Sequence, residues 1–101
     1  SSYLPEKSIE EVREAVRARL AAGIKAGSPN AVSQFATFHL QMLEEPDYET
    51  AYVWFSISVA LGLDGALKAR DDARENVDDE KIVELQSEAG TIYENLNISL
   101  D

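Results

Sequence analysis

The chain has no cysteine, one histidine, one tryptophan and one methionine in 101 residues. Without cysteine there is no disulfide framework, no thiolate metal site and no cysteine nucleophile. A lone histidine leaves too few soft ligands for a transition-metal site. No apolar run approaches the roughly 20 residues that cross a bilayer as a helix, so membrane insertion is not expected. Positive charge is also scarce: nine Lys and Arg stand against nineteen Asp and Glu, a net charge of −10. Such a surface repels phosphate backbones and anionic lipid, which disfavours nucleic acid and membrane surfaces as partners. The imbalance is −3 over residues 1–50 and −7 over residues 51–101. It serves solubility, or it steers a basic partner toward the second half.

Length allows one domain with one continuous core. The chain begins Ser1-Ser2 and its only methionine is Met42, so the natural start is expected upstream, removed by processing or truncation. The compartment stays open between cytoplasm and periplasm.

Apolar spacing is helical throughout, and no two-residue alternation persists. Residues 1–7 read as an extended lead-in broken by Pro5. Ser8 and Glu11 form a capping box opening a helix over 8–26, with Ile9, Val12, Val16, Leu20 and Ile24 as its apolar stripe. Gly27 stops it. Ser28 caps a second helix, with Pro29 at its first position, and Pro46 ends it. Asp47 caps a third helix running to about Leu61. Tyr48, Ala51, Tyr52, Trp54, Phe55, Ile57 and Val59 leave it little polar face, so it is predicted to be central. Gly62 stops it. Asp64 is placed to cap a fourth helix reaching Val77. Asp78 is placed to cap a fifth over 78–96, with Val77 and Ile82 as a hydrophobic staple. Residues 97–101 are expected to fray. Short connections make successive helices neighbours.

Gly27 and Gly62 lie 35 residues apart, and so do Ala31 and Ala66. A period near 35 residues belongs to helical solenoids. The residues Ala31, Phe35 and Ala36, then Asp47, Ala51, Trp54, Phe55, Ala60, Gly62 and Ala66, resemble the Sel-one-like repeat, a relative of the tetratricopeptide repeat. Residues 66–89 are similar to the tail that closes many bacterial members. His39 and Met42 stand where the family carries Tyr and Gly, the Glu44-Glu45-Pro46 loop is short, and Arg19 occupies the position equivalent to Trp54. The expected architecture is therefore all-α: five antiparallel helices in a short right-handed α-α superhelix. It divides into an N-terminal capping helix (8–26), one full repeat (28–62), a partial repeat (63–77) and a capping helix (78–96).

The resemblance implies a non-catalytic adaptor that binds a peptide or helix of a protein partner on a shallow concave face. Helical phase puts Gln34, Thr37 and Gln41 on that face, continued by Lys68, Asp71 and Asp72. The alternative is an acidic inhibitor or nucleic-acid mimic that neutralises a basic partner. No enzyme is indicated, since no nucleophile–base pair, metal set or cofactor motif is present. His39 has Phe35 and Leu43 at i−4 and i+4, a packing environment. The acids Asp71, Asp72, Glu75, Asp78, Asp79 and Glu80 lack the glycine turn of a calcium loop and read as a solvated face. Trp54 and Phe55 read as core, and the five glycines form no phosphate cradle. Asn97-Ile98-Ser99 matches a glycosylation acceptor without other secretory signals. The expected state is a monomer or weak homodimer, an open apolar stripe on the first or last helix being able to pair two copies.

Overall fold

A computed structural model describes residues 6–98, with side chains from residue 8 onward. The described residues are helical, with no strand among them: α1 (Glu6–Lys25), α2 (Pro29–Gln41), α3 (Tyr48–Ala60), α4 (Ala66–Arg74) and α5 (Ile82–Asn95), the last preceded by a 3₁₀ turn at Asp79–Lys81. None of them is long and apolar enough to cross a membrane.

The central helix is α3, as its apolar composition predicts. It packs on α2, α4 and α5, whereas α1 packs extensively on α2 alone. Ala51, Val53 and Ile57 of α3 are at most 1% exposed and join Val32 and Ala36 of α2, Ala73 of α4 and Leu85 and Ala89 of α5 in one cluster. Ser58, fully buried on the same helix, donates its hydroxyl to the Trp54 carbonyl at 2.9 Å, so no polar group is orphaned there. Tyr52 keeps its phenol satisfied through Gln86 Nε2 at 3.2 Å, which ties α5 to α3. Phe35 and Trp54 meet edge to face, centroids 4.9 Å apart at 80°, and tie α2 to α3.

Both repeated glycines end their helices in the same way. Gly27 has φ +96° and Gly62 φ +76°. Ser28 N donates to Gly23 O and Gly27 N to Ile24 O; Leu63 N donates to Ser58 O and Gly62 N to Val59 O. Each set is a Schellman closure, in which a left-handed residue lets the chain turn back on the last helical carbonyls. The caps at Ser28 and Asp47 also form. Ser28 Oγ accepts from Ala31 N at 3.4 Å, and Asp47 accepts from Thr50 N at 3.1 Å and Thr50 Oγ1 at 2.7 Å.

Several expected boundaries move. Helix α1 begins at Glu6, so Ser8 lies inside it and the capping box with Glu11 does not open it; residues 1–5 of the lead-in lie outside the described residues. Helix α2 ends at Gln41 rather than at Pro46. Asp47 N reaches back 2.8 Å to His39 O, satisfying a terminal carbonyl and peeling residues 42–46 away from the helix. Asp64 does not cap α4. Gly65, at φ +77° and ψ −6°, takes the third position of a type II turn, closed by Ala66 N to Leu63 O, and itself occupies the N-cap. Helix α4 stops at Arg74, short of Val77. Asp78 precedes the 3₁₀ turn but its carboxylate makes no capping bond, and α5 proper starts only at Ile82. Val77 and Ile82 are both buried in the central cluster, where a staple would hold them. Helix α5 returns to α3 rather than pairing chiefly with α4. At the C-terminal end, Leu96 and Ile98 pack half-buried against the cluster beside Leu61; residues 99–101 of the expected tail lie outside the described residues.

Candidate functional site: the groove between α2 and α4

Helices α2 and α4 both lean on α3 and pack little on one another. The gap between them is a groove of about 400 Å³. Leu40 of α2, Phe55 of α3 and Ala66 and Ala69 of α4 form its apolar surface. Ser33, Thr37 and Gln41 edge it from α2, and Asp64 and Asp72 from the other side. The small residues Ala66 and Ala69 keep it open: a longer side chain at either position would fill the space above Phe55. Thr37 donates its hydroxyl to Ser33 O at 3.0 Å, which fixes its rotamer.

The six residues expected on one concave face are divided. Thr37, Gln41 and Asp72 line the α2–α4 groove. Gln34 does not; with Thr37 and Gln41 it borders a second hollow of about 250 Å³, between α1 and α2, floored by Val16, Leu20, Phe38 and Met42. Thr37 and Gln41 therefore form a ridge between two grooves. Lys68 and Asp71 line neither. Lys68 Nζ pairs with Asp72 at 2.9 Å and Arg70 with Asp71 at 3.1 Å. The hydrogen bond that Lys68 donates to Asp72, with the Asp72 charge, raises the Lys68 pKa above its ordinary value. Both partners are largely in solvent, so the pair contributes little to stability.

Asp64 and Leu40 were missing from the expected face. Asp64 reads as a helix cap in sequence; the glycine after it was the signal that another residue would take that role and leave the carboxylate to the groove.

The remaining sequence-singled residues have structural surroundings. His39 is half-buried, with Nδ1 2.8 Å from Phe35 O; a carbonyl only accepts, so Nδ1 carries the proton. Its ring meets those of Phe35 and Phe38 edge-on at 4.8 and 5.3 Å. Ala31, Ala51, Phe55 and Ala66 are buried, Trp54 is half-buried, and Ala60 is exposed. Ala31 is the third residue of α2 while Ala66 is the first of α4, so the two alanines differ in helical position although both are buried.

Compared with protein-family models, curated proteins and solved structures, the chain gives no match.

Proposed function

We propose that the chain is a non-catalytic protein-interaction module, a short right-handed α-α superhelix of Sel-one-like type that lays a peptide or helix of a partner protein along the α2–α4 groove. The observation that carries this reading is the groove itself. Its apolar floor at Leu40, Phe55 and Ala69, bordered by Thr37, Gln41, Asp64 and Asp72, suits an amphipathic segment with apolar anchors and basic or amide groups at its edges. Two further features support the repeat architecture. Identical Schellman closures recur 35 residues apart at Gly27 and Gly62. The molecule measures 46 × 34 × 21 Å, and its thinnest dimension matches two helix layers of about 10–12 Å each.

Replacing Thr37 and Gln41 together by arginine fills the groove with bulk and charge. A purified partner should then bind at least about tenfold more weakly, a loss of about 1.4 kcal/mol. Unchanged affinity would exclude the groove.

A second reading has its own support. Asp71, Asp72, Glu75, Asp78, Asp79, Glu80, Glu84 and Glu88 are all exposed over α4 and α5. An acidic inhibitor would present this surface to a basic protein, and its binding would fall steeply with salt.

A further inference from the structure

Ile9, Val12, Val16 and Leu20 recur at three- and four-residue spacing, so they line one face of α1. Ile9 is 42% and Val12 54% exposed. Toward the C-terminal half of the helix the stripe runs on into the α1–α2 hollow, where Phe38 and Met42 extend it. Because α1 packs extensively only on α2, the outer part of this face packs on no other helix among the described residues. Single apolar residues on a surface are ordinary, but a continuous stripe on a helix held from one side marks a contact.

The charge distribution identifies the occupant. Residues 1–30 carry five Lys and Arg against four Asp and Glu, a balance of +1. Residues 31–101 carry four against fifteen, a balance of −11. Two copies meeting through the acidic surface of α4 and α5 bring like charge together; through α1 they do not. The charges are also ordered along α1. Its N-terminal half holds Glu6, Glu10, Glu11 and Glu14 against Lys7 and Arg13, a balance of −2, while its C-terminal half holds Arg17, Arg19 and Lys25 and no acid, a balance of +3. Parallel helices would set acid on acid and base on base. Antiparallel helices set each acidic half against a basic one, an arrangement their macrodipoles also favour.

We infer that the exposed face of α1 is a two-fold contact between two copies of this chain, with the α1 helices antiparallel. A 20-residue helix is about 30 Å long and about 10 Å wide, so one face offers roughly 300 Å² per copy. A standard interface takes about 800 Å² per partner, so this dimer is weak.

Sedimentation velocity of the full chain from about 10 μM to about 1 mM tests this. The mass should rise from 11.1 kDa toward its double. Val12→Asp, and separately Arg17→Glu with Arg19→Glu, should stay monomeric with unchanged helix content and melting temperature. Leu67→Asp and Val83→Asp, also at exposed apolar positions (55% and 77%) but outside α1, should dimerise like the wild type. A wild-type chain that remains at 11.1 kDa at the highest concentration overturns the inference. So does a Val12→Asp variant that dimerises normally, or a dimer lost only in the α4 or α5 variants. Orientation is read with a spin label on Ser8→Cys, the chain having no other cysteine. In a mixed sample it should broaden the amides of Arg19–Lys25 in the unlabelled copy. Broadening confined to the amides near Glu10 contradicts the antiparallel arrangement.

Discussion

Gly23 of α1 faces Ala31 of α2 so closely that a methyl group added at Gly23 would lie 3.0 Å from the Ala31 side chain. Ala31 carries nothing that can rotate away, so any larger residue at Gly23 must lift α1 from α2. Since α2 is the only extensive neighbour of α1 among the described residues, none of them offers a second anchor to oppose the lift. Gly23→Leu is expected to detach α1 while α2 to α5 stay folded around α3. Hydrogen exchange should show protection lost across Glu6–Lys25 and kept at Ala51–Ser58. Loss of protection throughout would mean that α1 belongs to the same cooperative unit as the core.

The matched closures at Gly27 and Gly62 predict matched costs. Both residues sit at positive φ, where a side chain is strained. Gly27→Ala and Gly62→Ala should each destabilise by about 1 kcal/mol. In a domain of this size that lowers Tm by roughly 4–8 °C. Calorimetry that finds one site costly and the other neutral would break the equivalence on which the repeat reading rests.

Asp47 couples the start of α3 to the end of α2. Its carboxylate accepts from Thr50, and its own N–H donates to His39 O. Asp47→Ala removes the side-chain cap and leaves the backbone bond, at a cost of about 1 kcal/mol. Asp47→Asn keeps an acceptor and should recover most of it. If urea denaturation finds the two variants equally destabilised, the charge rather than the cap is what matters at this position.

Salt separates the two readings of function. Binding through the apolar floor of the α2–α4 groove, with only Asp64 and Asp72 as charges at its edge, should weaken only slightly as ionic strength rises. Binding through the acidic surface of α4 and α5 should weaken steeply once the Debye length falls to about 10 Å, near 0.1 M salt. Partner affinity measured across that range distinguishes them.

What the sequence reveals of this fold divides along a physical line. The stops at Gly27 and Gly62 and the caps at Ser28 and Asp47 depend on bonds within a few residues of one another, so local chemistry predicts them. The centrality of α3 follows from its nearly unbroken apolar composition. The misplaced boundaries follow from competition or distance. Gly65 competes with Asp64 for the start of α4, and the Asp47-to-His39 bond draws the chain off α2 before Pro46. The groove shows the same division. Helical phase brings Thr37 and Gln41 to one ridge, but it does not show Gln34 leaning toward α1, or Lys68 and Asp71 engaged with their own neighbours in the chain.

The central claim is that the α2–α4 groove is the surface through which this chain meets its partner. Its most direct test is calorimetric titration of a partner isolated from native extract and purified, against the wild type and the Thr37→Arg, Gln41→Arg variant. Saturable binding is expected for the wild type, weakened at least about tenfold in the variant, with the melting temperature of the variant close to that of the wild type. Equal affinity for the two proteins would contradict it.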